Sequence, residues 1–326
     1  MLRHVLALCL LLPPSVFLKA DAPPKPIDFG AISTPIIHLG DFETAYRDPA
    51  AHYHDGLFRV FHTLHRRDAD GHYYVYTAVT KSRDLVHWTD SQILTPRDLN
   101  LNYSSPGNIV RLGDKWILCL QSYPTPQDET FGTQDSRVWT MESADLENWS
   151  QPQLIRVKGP ETPVEAMGRM IDPYLIRDKD RPNRWWCFYK QNGASMSYSD
   201  DQMQTWTYHG RTDCGENVCV LVENGEYVIF HSPRNGVGIK TSSDLKEFRD
   251  VRLLTLGQDS WPWAQGRLTA GHVLDLRDDP RVGKYLMFFH GSSVEGLRRH
   301  GAHGAACLAL AWSDDLVEWH WGGQAE

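Results

Sequence analysis

Cysteine is scarce: six in 326 residues. One of these, Cys9, lies in an apolar leader, which leaves the odd number Cys119, Cys187, Cys214, Cys219 and Cys307. An odd, dispersed set excludes a disulfide framework, although Cys214 and Cys219 could pair. Cys119, Cys187, Cys219 and Cys307 fall in apolar strand-like runs, where cysteine behaves as a small buried hydrophobe. No cysteine or histidine spacing suits zinc, and the 15 histidines form no His-Glu-x-x-His pattern. The charge balance is −8 with no basic stripe, so nucleic acid is excluded as a partner and a neutral ligand is suited. Helical periodicity of any length is absent. Beyond residue 22 no apolar run is long enough to cross a bilayer. Residues 1–22 combine Arg3 and His4, the apolar run Val5–Leu12 and small residues at Ala20 and Ala22. This is a secretory leader pattern, which implies a secreted or periplasmic protein with no membrane partner once the leader is removed.

What the chain does have is one phrase written five times. Ser82-Arg83-Asp84-Leu85-Val86-His87-Trp88 returns at 143–149, at 199–206 with one extra residue, at 242–248 and at 313–319. The acidic positions Asp84, Asp145, Asp201, Asp244 and Asp315 lie 61, 56, 43 and 71 residues apart. Such a period marks a repeated supersecondary unit that cannot bury its own apolar face. Ser and Asp bond backbone amides just ahead of them, so the phrase reads as a turn between strands. A strand-like run precedes each copy. Earlier in each unit stand a tight turn, such as His54-Asp55-Gly56 or Glu223-Asn224-Gly225, and two further runs.

Each unit therefore reads as four antiparallel strands, and five units make an all-β, five-bladed β-propeller. The blades fall at about 41–97, 98–156, 157–210, 211–255 and 256–321, within one propeller domain at 41–321. Residues 23–40 form an N-terminal segment whose strand-like Ala31–His38 closes the ring, and 322–326 form a tail. The first strand of each blade lines the central channel. Its start and the loop between the second and third strands share one face, here termed the top, where function is expected.

The first-strand starts read Arg47-Asp48-Pro49, Ser105-Pro106-Gly107-Asn108, Ile171-Asp172-Pro173, Gly215-Glu216-Asn217 and Gly271-His272-Val273. Three present a carboxylate. Proline after Asp48 and Asp172 is expected to hold each Asp extended. Like charges converging on one channel cost free energy, so they are expected to have a task. Glycoside hydrolysis needs one carboxylic acid to protonate the leaving oxygen and one carboxylate opposite. A third carboxylate would keep the acid protonated by like-charge repulsion.

On the Asp-Pro of the first blade, the Asp-Pro of the third and the Glu opening the fourth, the chain resembles the five-bladed propeller glycosidases of glycoside hydrolase family 43 and its relatives. The resemblance covers nearly all of the chain after the leader. It implies Asp48 as general base, Asp172 as the residue that raises the pKa of the acid, and Glu216 as that general acid. It also implies a channel histidine, His272, near a bound water or a structural calcium, with no cofactor required. The sequence departs from the family in Gly215-Glu216-Asn217-Val218-Cys219, where family 43 has Glu-Gly-Pro. Asp213, Glu165 and Glu223 are the rival carboxylates, Glu223 on the opposite face.

The expected partner is a carbohydrate. Trp261 and Trp263 share a top loop, and at least one is expected to reach the pocket and stack on a sugar face. Arg169, Gln191, His231, Arg234, Arg267 and His290 are top-face candidates for hydroxyl groups, as is Asn108 at the second first-strand start. Three readings stand: a hydrolase cleaving terminal sugars with inversion, a retaining fructosidase-like hydrolase with Asp48 as nucleophile, and a non-catalytic glycan-binding propeller.

Overall fold

The computed structural model describes residues 25–300 and 303–324. The leader expected at 1–22 lies outside the described residues. A short strand β1 (Ile36–His38) comes first. Blade 1 follows as β2 (Thr44–His54), β3 (Leu57–Arg67), β4 (Tyr73–Ser82) and β5 (Gln92–Ile93). Blade 2 is β6 (Ile109–Leu112), β7 (Lys115–Gln121), β8 (Val138–Ser143) and β9 (Gln153–Leu154). Blade 3 is β10 (Ile171–Arg177), β11 (Trp185–Lys190), β12 (Ala194–Ser199) and β13 (Thr207–Thr212). Blade 4 is β14 (Glu216–Glu223), β15 (Glu226–Ser232), β16 (Val237–Ser242) and β17 (Arg249–Leu254). Blade 5 holds β18 (Arg267–Leu276), β19 (Lys284–Ser292) and β20 (Cys307–Ser313), with the seven-residue helix α1 (Val294–His300) between the last two. The sheets are antiparallel and four-stranded, five blades in all.

The fourth strand of blade 5 does not come from the chain after the last repeat. Past that turn a single bridge joins Trp312 to His320. The outer position is taken by β1, with Ile36 opposite Ala309 and His38 opposite Leu308. The two ends of the ring are thus hydrogen-bonded into one sheet.

The repeated phrase owes its persistence to a left-handed residue. Leu85, Leu146, Leu245 and Leu316 have φ of 64, 64, 58 and 63°. Leu85 is held there because its N–H donates to Ser82 Oγ at 2.9 Å, while Val86 and His87 donate to Asp84 Oδ1 at 3.0 and 2.8 Å. In the copy with the extra residue, Met203 takes that conformation at φ 67° and donates to Ser199 Oγ. The Trp that ends the phrase packs between blades. Trp88 meets Phe288 of blade 5 edge-on, and Trp149 meets Phe61 of blade 1 the same way. The described cysteines are all buried and free, so Cys214 and Cys219 do not pair.

Candidate active site

Five residues at the mouth of the channel share one conformation. Asp48, Ser105, Asp172, Asn217 and Ala270 have φ of 46, 42, 51, 50 and 57°. In blades 1, 3, 4 and 5 the strand register shifts at this residue, which is the mark of a β-bulge. Asp48 and Asp172 are therefore left-handed, not extended. A proline that follows favours extended backbone, and the bulge overrides that preference here. The bulge also corrects the expected equivalence. The counterpart of Asp48 in blade 4 is Asn217 and in blade 5 is Ala270; Glu216 stands one place earlier and His272 two places later.

Such backbones are strained in residues other than glycine and persist when their surroundings hold them. Here the preceding blade does so. The N–H of Asp48 donates to His290 Nδ1 at 3.1 Å, that of Ser105 to Thr63 Oγ1 at 2.8 Å, that of Asp172 to Gln121 Oε1 at 2.7 Å, and that of Ala270 to Ser232 Oγ at 2.7 Å. Each bracket comes from the second strand of the blade before. His290 is a positioning residue behind Asp48, and its burial, followed by Arg47 and Arg267, holds its pKa well below 6.5.

Above this ring lies a hollow of about 160 Å³ on the top face, which Asp48, Asp172 and Glu216 line together with Arg47, Arg169 and Arg267. Side-chain exposure is graded, from 30% at Glu216 to 12% at Asp48. Asp172 is the deepest, at 7%. Its Oδ1 accepts from Ser105 Oγ at 2.5 Å. Burial, then the charges of Glu216 and Asp48, push its pKa up to about 7. Asn217 Nδ2 donates to Asp48 Oδ1 at 3.3 Å, and Arg267 Nη2 pairs with Glu216 Oε1 at 2.6 Å.

Several expected binding residues stand elsewhere. Asn108 is a peg between blades: it donates to the carbonyl of Leu175 at 2.7 Å and accepts from the Leu175 N–H at 2.9 Å. Gln191 donates to the carbonyls of Met167 and Arg169, so it braces the loop that presents Arg169. Neither Trp lines the hollow. Trp261 is 8% exposed, stacks on Trp263 at 5.1 Å and on Phe289 at 6.0 Å, and meets Trp321 edge-on. The pair joins the core of blades 4 and 5 because its loop folds inward. Trp261→Ala is accordingly expected to cost about 3–5 kcal/mol of stability. A thermal melt should show the loss, while KM stays where it was.

His231 and Arg234 line a neighbouring hollow that shares only Glu216 and Arg267 with the first. Asp213 lies in that neighbour too. Glu165 lines neither, and Glu223 is tied to Tyr285 and Arg277. His272 sits under the ring, where Asp48 and Asp172 close a cavity of about 20 Å³, room for one water. Its ring faces the carbonyls of Ala51 and Gly107, and burial lowers its pKa to about 4. Among the described residues no three His, Cys, Asp or Glu side chains gather as a metal site. Calcium takes about six to eight oxygens, and two carbonyls face this ring.

Sequence reasoning missed Arg47, Ser105, Gln121, Asn217, Tyr123, Phe131 and His303. Arg47 and Asn217 adjoin named carboxylates, which was the available signal. His303 arrives on the loop after α1 and carried none.

No known family profile matches the sequence, and no curated protein matches it either. Solved structures do match. One is Zg3597, a family 117 glycoside hydrolase of the marine bacterium Zobellia galactanivorans, with 14% identity, a TM-score of 0.59, and 86% of this chain and 90% of that one covered. Another is the catalytic domain of the GH62 α-L-arabinofuranosidase of Coprinopsis cinerea, with 13% identity, a TM-score of 0.62 and coverages of 86% and 95%. A third is the GH43_1 enzyme of Xanthomonas citri complexed with xylotriose, with 13% identity, a TM-score of 0.57 and coverages of 91% and 96%. The chain has the propeller fold of these hydrolases. At such identities the likeness speaks for the fold alone.

Proposed function

We propose that this propeller is a glycoside hydrolase that cleaves terminal sugars from an oligo- or polysaccharide. The observation that carries the reading is three carboxyl groups on one hollow about the size of a sugar ring. Similarity of fold to enzymes that act on glycans supports it. Glu216 is assigned as general acid because it is the most exposed of the three and the leaving group must point outward; in that role its contact with Arg267 must open so that the carboxyl can carry the proton. Asp48 is assigned as the base that takes a proton from the attacking water. Asp172 lies too deep to meet the leaving oxygen, and its place beside both suits control of their protons. Asp172, pushed up to about 7, is the member of the trio that keeps a proton near neutrality. No step needs a cation at His272. Inversion is the preferred outcome. Secretion, from the leader at 1–22, belongs to the same proposal.

The test is a panel of chromogenic glycosides followed by NMR of the first product anomer. Hydrolysis with inverted configuration is expected. Retained configuration would make Asp48 a nucleophile, as in the fructosidase-like alternative. Saturable sugar binding with no turnover of any glycoside would leave a binding propeller.

A further inference from the structure

Two guanidinium groups in the hollow form no ion pair among the described residues. Arg47 is 7% exposed and lines the pocket wall. Its Nη1 donates to His303 Nδ1 at 2.6 Å, and its Nε points at His290 Nε2 at 3.4 Å. Both rings are neutral, since burial and then Arg47 itself hold them well below the usual range. A neutral imidazole has one acceptor nitrogen. His290 is approached by Arg47 on one side and the Asp48 N–H on the other, so only one of those donors is satisfied. Arg169, half-buried, lies over the Tyr123 ring at 5.6 Å and spends its Nε on the carbonyl of Gly132. Among the described residues neither arginine forms an ion pair with a carboxylate, whereas Arg267 does.

A buried guanidinium without a counter-charge is costly, and cations taken out of water are ordinarily paired. The two are physically linked. Arg47 holds His303, whose ring meets Tyr123 edge-on at 5.8 Å, and Tyr123 carries Arg169. A planar fork on this wall matches an oxyanion in two-point contact. Resting on the hydrolase reading, we infer that the sugar bound in this hollow carries an anionic substituent, a carboxylate or a sulfate ester, held by Arg47 and Arg169. Repulsion from the trio is limited, because Glu216 is already paired and Asp172 is pushed up to about 7. Beyond Glu216 the neighbouring hollow holds Lys190 and Arg234 as well as Asp213 and Asp250, the last paired to Lys240, so an anionic polymer would still meet basic side chains on both sides of the cleaved bond.

The experiment compares 4-nitrophenyl glucuronides and galacturonides with the matching neutral hexosides and with the uronate methyl esters, using the wild-type protein. Thermal shifts with free glucuronate, galacturonate, glucose 6-sulfate, glucose and galactose run beside it. Acidic sugars are expected to bind at least about tenfold more tightly than neutral sugars or esters, as charge-assisted hydrogen bonds imply. Arg169→Gln and Arg47→Lys should each erase most of that preference. The sulfated sugar against the uronates tells which oxyanion the wall accepts. Equal binding of acid and ester, or no binding of any acidic sugar, overturns the inference. Turnover of neutral glycosides with no acidic preference overturns it while the hydrolase reading survives. Uronate binding lost in Arg169→Gln, with no hydrolysis anywhere, keeps the inference and overturns the hydrolase reading.

Discussion

Asp48→Asn and Glu216→Gln are each expected to lower kcat/KM by about 10²–10⁴-fold while the fold persists, since base and acid act in one transition state. Neither change removes core volume, and both side chains border the hollow. The two should differ in one respect. An activated leaving group needs little protonation, so Glu216→Gln should recover on a dinitrophenyl glycoside, whereas Asp48→Asn should not. Recovery by neither would move the acid role to another group. Near-normal turnover by Glu216→Gln on a poor leaving group would do the same.

Asp172→Asn is expected to gain stability and lose activity, with opposite readouts from one change. Asp172 titrates at about 7 in the folded protein against a usual 3.8. Between those values the folded state keeps a proton that the unfolded state has released. Stability therefore falls as pH rises across that window, and the loss is complete above about 7. A shift of this size corresponds to at most about 4 kcal/mol. Asparagine mimics the protonated form and avoids the penalty. Melts of wild type and Asp172→Asn should coincide near pH 4 and separate by up to roughly 5–10 °C at pH 8. In the rate profile, loss of one carboxylate from three weakens the repulsion that retains the proton, so the alkaline limb should move to lower pH. Melts that stay superimposed at pH 8 would mean that Asp172 is not held protonated. A limb that stays put, with rate lost equally at every pH, would give Asp172 a substrate-binding role instead.

The blades were legible because Ser82 and Asp84 act on amides a few residues away, and their recurrence exposes the period directly. The three carboxyl groups were legible by their places in the repeat, although only Glu216 opens its strand: Asp172 is the second residue of β10, and Asp48 lies inside β2. Their geometry was not. The bulge at Asp48, Asp172 and Asn217 displaces one residue per blade, and a displacement of one changes which neighbour is equivalent. Trp261 and Trp263 show a second limit. Sequence places them in a top loop, but only packing against Phe289 and Trp321 decides that the loop turns inward. Asn108 was read by position at a strand start, and its amide proved to satisfy the backbone of Leu175. Arg47 was visible only as a neighbour of Asp48. Its side chain is held by His290 and His303, which lie more than 240 residues further along the chain.

The pairing of Ile36 with Ala309 sets a clock on the ribosome. The strand that completes the last sheet is made first, and its partner follows about 270 residues later. At roughly 5–20 residues per second it waits on the order of 15–55 s without its ladder. Earlier blades can gather meanwhile, but the ring stays an open arc with a bare edge at each end. Such edges are templates for pairing with other chains. A chain released early would keep both, so a nascent propeller of this kind depends on being finished as well as on being stable.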